Sequence, residues 1–352
     1  MSSLALDVQP PSETKINWEK LLNTIEAKLP EVDTSHLTVK QFTAGYSNLT
    51  YLLQFPNKHI VLRRPPFGEI PPRAHDIQRE YTILSHVHPV FPLAPKPHLY
   101  EENQDIMDKH FYLMEKKEGV VLDDRLPEEW DHMENAPLKA SQAVVDTLAT
   151  LHDIDIYKHG LDSLGKPEGY LKRQIEGWLK RYERSIVEGS DAVQEIIPWL
   201  LANTPNQSES SIVHNDFKLN NMMFSKDDPE KAVGVFDWEL CTVGDPLSDF
   251  AGTMAYWTEP GDAETGLASV TEKEGFYSRR DLVEAYASNT GRDMDNIHYY
   301  LCFAFLKIAV ILQQIYYRWH KGEISDSRFS SLGIGINNLL HQSIRAKDKE
   351  IV

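Results

Sequence analysis

The sequence predicts an α+β protein of two unlike lobes, a small antiparallel sheet followed by a larger, mainly helical part. Three observations predict it. Strand-forming segments divided by turn clusters crowd the first part of the chain, helical periods dominate the remainder, and three short strand-like pieces interrupt those helices between residues 211 and 236.

In chain order, Trp18, Leu21, Leu22, Ile25 and Leu29 line one face of a short helix that Pro30 closes, so residues 1–34 read as a flexible tail plus a helix. Residues 37–43, 49–55 and 59–64 are β-prone, and the turn formers at 44–48 and 56–58 join them into a meander. After the proline-rich run 65–72, the pattern predicts a helix over 74–86 and a strand over 111–115, completing a small lobe at 35–117 with a polar exit at 115–119. Residues 118–352 form the second lobe. Its helices are predicted over 140–152, 170–187, 192–202, 280–289, 295–321 and 325–346, and its strand-like pieces at 211–214, 222–224 and 232–236.

Composition narrows the function. With 36 Lys+Arg against 53 Asp+Glu, the net charge of −17 and the lack of any basic run argue against a nucleic-acid partner. A 41% hydrophobic content excludes wholesale disorder. Cys241 and Cys302, two cysteines far apart in the sequence, make no disulfide framework, which points to a reducing, cytoplasmic setting. No His-x3-His or Cys-x2-Cys pair supports zinc. The apolar run 299–319 carries Leu301, Phe305, Ile308, Leu312, Ile315 and Trp319 at helical spacing beside a polar stripe of Lys307, Gln314 and Arg318, the pattern of a core helix and not of a membrane span.

The chemistry concentrates in residues 211–239. An apolar strand delivers His214 and Asp216 into a loop, Asn221 follows Asp216 by five, and a second apolar strand ends on Asp237. This order lets Asp216 face an acceptor hydroxyl while Asn221 and Asp237 offer oxygen ligands to Mg²⁺, a hard cation that travels with nucleotide phosphates. The pattern is that of a phosphoryl-transfer site.

His214-x-Asp216-x4-Asn221 followed by Asp237-Trp238-Glu239 resembles the aminoglycoside phosphotransferase and choline-kinase-like group of the protein-kinase-like fold. That resemblance implies ATP and Mg²⁺. It places a phosphate-covering loop at Gly45, Tyr46, Ser47 and Asn48, with one glycine where kinases carry three, and a phosphate-gripping residue at Arg63 in place of lysine, paired with Glu80. It also puts an adenine-binding hinge at Met114, Glu115 and Lys117. His152 is expected to be structural, His214 to support the loop, and Asp245 and Asp249 to accept backbone N–H groups that hold the loop and cap the following helix.

The residues 61–66, 74–76 and 79–81 narrow the likeness, over roughly residues 35–345, to the kinase-like domain at the N-terminus of some long acyl-CoA dehydrogenases, which implies a hydroxyacyl-CoA acceptor. Arg173, Lys180 and Arg184 share one helical stripe that would suit coenzyme A phosphates or would simply face solvent, and Tyr256 and Trp257 are further acceptor candidates. The acidic residues Asp123, Asp124, Glu128, Glu129, Asp131 and Glu134 would instead suit an aminoglycoside or choline-like amine. A protein kinase is disfavoured because Asp237-Trp238-Glu239 replaces Asp-Phe-Gly and no Ala-Pro-Glu follows it, and a non-catalytic pseudokinase is disfavoured by the joint presence of Asp216, Asn221 and Asp237. ATP versus GTP and the oligomeric state are left open.

Overall fold

The computed structural model describes residues 8–9, 16–42, 48–66, 76–187, 189–206, 209–267 and 269–352. The first lobe is one antiparallel sheet of strands β1 (Val8–Gln9), β2 (Thr38–Phe42), β3 (Leu49–Gln54), β4 (His59–Arg64), β5 (Pro97–Glu101) and β6 (Phe111–Glu115), in the order β1-β2-β3-β4-β6-β5. The period of two sorts its side chains. Ile60, Leu62 and Leu113 join a core with Leu21 and Ile25 of helix α1 (Trp18–Lys28), while Val61, Tyr112 and Met114 face the other way and merge with the core of the second lobe.

Helix α2 (Ile77–Val87) begins three residues later than the sequence pattern suggests, because the Asp76 side chain accepts the Arg79 amide and so caps it there. From β6 the chain crosses to a second, three-stranded sheet of β7 (Val120–Val121), β9 (Met222–Phe224) and β10 (Ala232–Val235), while β8 (Ser211–Val213) pairs with β11 (Thr242–Gly244). The crossing passes so close to β9 that a Cβ on Gly119 would lie 2.2 Å from the Phe224 carbonyl oxygen. Strands β1, β5, β7 and β11 are absent from the sequence expectation, which put Val8–Gln9 in a flexible tail: three of the four have only two or three residues, and β5 includes a proline.

The helices are α3 (Ala136–His152), α4 (Tyr170–Arg184), α5 (Asp191–Ala202), α6 (Pro246–Tyr256), α7 (Arg279–Thr290), α8 (Ile297–His320) and α9 (Leu332–Lys347). Helix α8 is long and apolar enough to cross a membrane by length and composition, but 72% of its most apolar stretch is buried inside the protein, packed on α4, α6 and α9.

Candidate functional site

Two turns meet where the lobes face each other. The residues of β8 are all buried, as is the end of β10, so the partly buried Asn215, Asp216 and Asp237 just beyond them emerge at the edge of the core. Both turns use left-handed backbone: Asn215 has φ 67° and Asp237 φ 66°, a conformation that Asn and Asp tolerate better than other side chains.

His214 stitches the turns together. Its Nδ1 accepts the Asp216 amide at 3.3 Å, which leaves Nε2–H to donate to the Phe236 carbonyl at 2.9 Å, with the ring edge-on to Trp238. Asn221 donates through Nδ2 to the Asp216 carboxylate (2.9 Å) and carbonyl (2.8 Å), and Lys218 Nζ lies 3.0 Å from the same carboxylate. The Phe236 amide donates to the Asn221 carbonyl, which sets Asn221 beside the Asp237 turn.

Across the cleft, Arg63 donates from Nη2 to Asp237 Oδ1 at 3.0 Å while its Nε lies 3.1 Å from Glu80 Oε2, so one guanidinium bridges both carboxylates. Burial opposes the charge on Arg63, but Glu80 and then Tyr112 and Asp237 outweigh it and hold its pKa above the ordinary value. Burial raises the Glu80 carboxyl against the pull of Arg63, and burial with the Asp237 charge pushes Glu239 up to about 7. Arg79 donates to the Glu239 and Cys241 carbonyls, fastening α2 to the segment behind Asp237.

Asp249 holds the loop of residues 214–216 from α6: its oxygens accept the His214 amide (2.6 Å) and the Asn215 amide (2.7 Å). Burial opposes its charge, yet His152 and His214 keep its pKa below the ordinary value. His152 is buried between Asp249 and the Tyr286 hydroxyl, and Asp245 accepts the Leu247 amide at the start of α6 and the Tyr300 hydroxyl.

Among the described residues, no three His, Cys, Asp or Glu side chains converge into a metal cage. The donor set nevertheless fits Mg²⁺. Asn221 Oδ1 and the Asp237 carboxylate are hard oxygen donors, and Mg²⁺ in nucleotide sites takes one or two protein ligands and completes its shell with phosphate and water.

On the nucleotide side, Gly45, Tyr46 and Ser47 lie outside the described residues, and Asn48 is buried. Met114 is buried on the cleft face of β6. The Glu115 amide donates to the Lys96 carbonyl, and Lys117 is turned to Glu115 and the Pro92 carbonyl, so hinge contacts to a base would fall to the remaining backbone groups of 115–117.

The acceptor candidates divide. Tyr256 lines a small cavity with Asp216, Phe217, Gly252, Lys307 and Ile308, and burial with the Asp216 charge raises its hydroxyl pKa. Trp257 does not belong there: it is buried in the core and donates from Nε1 to the Tyr277 carbonyl. Nor does the basic stripe. Arg173 donates to the Lys166 and Glu168 carbonyls and Lys180 and Arg184 are exposed, because α4 turns a different face to the loop of residues 214–216, the one carrying Tyr170 and Trp178.

Several neighbours escaped sequence reasoning. The Tyr170 hydroxyl donates to Asn215 Oδ1, Lys307 donates to the Asn215 carbonyl, and Arg181 and Lys307 both lie within 6 Å of the Trp178 ring. The signal for Lys307 was its place in the polar stripe of an apolar helix, and that for Asn215 its place inside the His-x-Asp motif.

A family model described as a phosphotransferase enzyme family matches residues 38–282. The chain is 35% identical over 319 residues to the rat protein called acyl-CoA dehydrogenase family member 11, covering 88% of this chain and 41% of that relative. Its structure superposes on a Ralstonia eutropha protein of aminoglycoside phosphotransferase type with a TM-score of 0.78 at 28% identity, covering 95% of this chain and 99% of the other. It also superposes on choline kinase from Cryptosporidium parvum with a TM-score of 0.65 at 13% identity, covering 96% and 98%.

Proposed function

From the premise that this chain belongs to the phosphotransferase enzyme family and acts on hydroxyl groups, we propose that it moves the γ-phosphoryl group of ATP, with Mg²⁺, onto the hydroxyl of a hydroxyacyl-CoA. The carrying observation is the juxtaposition of two turns: Asp216, held by the Asn221 amide, beside Asp237, bridged by Arg63 to Glu80. Mg²⁺ held by Asn221 Oδ1 and Asp237 would neutralise the phosphates. Asp216 orients the acceptor hydroxyl and takes its proton, Arg63 fixes Asp237 and grips phosphate oxygens from the first lobe, and Lys218 faces the charge that develops beside Asp216.

The acyl-CoA part rests on two supports. The relative carries acyl-CoA in its name and covers 88% of this chain. In addition, Lys218 lies 3.0 Å from the Asp216 carboxylate and Lys307 lines the same small cavity as Asp216, cations where an aminoglycoside or choline-like acceptor would have to place its own. The test is to incubate the protein with Mg·ATP and, separately, a 4-hydroxyacyl-CoA, kanamycin and choline, and to follow phosphate-ester formation by ³¹P NMR. A new ester on the acyl-CoA alone is expected. An ester on an amine, or none on the acyl-CoA, would overturn the acceptor assignment.

A further inference from the structure

The residue just before Asp216 is tied on every polar group it has. The Asn215 amide donates to Asp249 Oδ1 of α6 at 2.7 Å, its Nδ2 donates to the Leu240 carbonyl at 3.0 Å, its Oδ1 accepts the Tyr170 hydroxyl of α4 at 2.7 Å, and its carbonyl accepts Lys307 Nζ of α8 at 2.8 Å. Four separate parts of the second lobe thus converge on one residue, and that residue sits at φ 67°. The left-handed backbone alone would be met by glycine, which has no Cβ to strain. The side-chain bonds require more. Leu240 follows Asp237 by three, so Nδ2 joins the loop of Asp216 to the turn of Asp237, while the Tyr170 hydroxyl, buried with its pKa raised by desolvation, fixes the amide from behind.

We propose that Asn215 is a positioning residue that sets the distance between the Asp216 carboxylate and the Asp237 turn, with Tyr170 as the group that orients it. The proposal rests on the kinase reading of this site. Asparagine supplies what neither glycine nor aspartate supplies together: tolerance of the left-handed turn, one acceptor for Tyr170 and one donor for Leu240. Misplacing a reacting group by an ångström slows the chemical step without loosening a nucleotide held elsewhere.

The test uses Asn215→Gly, Tyr170→Phe and the double variant, with acceptor-independent Mg·ATP hydrolysis as the probe and nucleotide affinity by calorimetry. Asn215→Gly should lower kcat at least about tenfold with nucleotide Kd within about twofold, and Tyr170→Phe should lower kcat along the same axis. Because both act through one amide, the double variant should be no slower than Asn215→Gly, and each change should speed amide exchange in segments 213–217 and 238–242 together. Wild-type kcat in Asn215→Gly, effects that multiply in the double variant, or exchange that rises in one segment only would overturn the proposal. A wild-type protein that neither binds nor hydrolyses Mg·ATP would overturn the kinase reading along with it, which separates that failure from the others.

Discussion

Replacing Arg63 with methionine removes a cation that touches both Glu80 and Asp237. The arginine and Glu80 side chains are only 14% and 3% exposed, so Glu80 would keep its burial and lose its partner. Breaking a buried ion pair from one side costs about 3–5 kcal/mol. Asp237 is 31% exposed and can be rehydrated, so the lower end applies, about 3 kcal/mol. The sign of the pH dependence follows from Glu80. Burial already raises its carboxyl above the ordinary 4.5, and without Arg63 the rise is larger. A raised carboxyl is protonated in the folded protein when the unfolded chain has already ionised, so the destabilisation is small below pH 4.5 and grows as pH rises above it. Urea unfolding followed by tryptophan fluorescence at mildly acidic and mildly alkaline pH measures this. Arg63→Met with Glu80→Met should recover at least about half of the loss, because the stranded charge is gone. A loss under about 1 kcal/mol that is equal at both pH values, or a double variant less stable than the single one, would refute the reasoning.

Gly119→Ala should destabilise by about 3 kcal/mol in the same assay, since its Cβ would meet the backbone oxygen of Phe224 at 2.2 Å and only a shift of β7 against β9 relieves it. Arg173→Glu with Lys180→Glu should leave the acyl-CoA KM within about twofold, whereas Arg181→Glu, on the face shared with Lys307, should raise it about tenfold and make it less salt-dependent. Burial lowers the His98 imidazole to about 4 from the ordinary 6.5, so the unfolded chain takes up a proton first on acidification; stability should fall between pH 6.5 and about 4, and His98→Gln should flatten that part of the slope.

Much of this site is legible in the sequence because its residues lie within a few positions of two apolar strands. Asp216 follows β8, Asn221 directly precedes β9 and Asp237 follows β10, so three short strands bring them together. The Arg63–Glu80 pair is legible for the same reason, being set by a strand and the helix after it. What the sequence hides are the contacts made at long range. Arg63 reaches Asp237 over 174 positions and Lys307 reaches Asn215 over 92, and no local period encodes either. Trp257 and the Arg173 stripe mislead for a complementary reason. Helical spacing says which residues share a face but not which face meets the site, and here α4 turns Tyr170 and Trp178 toward the loop while Trp257 closes the core.

Asp216→Asn is the most direct measurement. The amide keeps the size of the carboxylate and an oxygen for Asn221 Nδ2, but it cannot accept the acceptor's proton. Mg·ATP affinity by calorimetry should stay within about threefold of wild type while turnover falls by about three orders of magnitude. Turnover near wild type, or nucleotide binding lost in proportion to turnover, would show that Asp216 does not act on the acceptor hydroxyl.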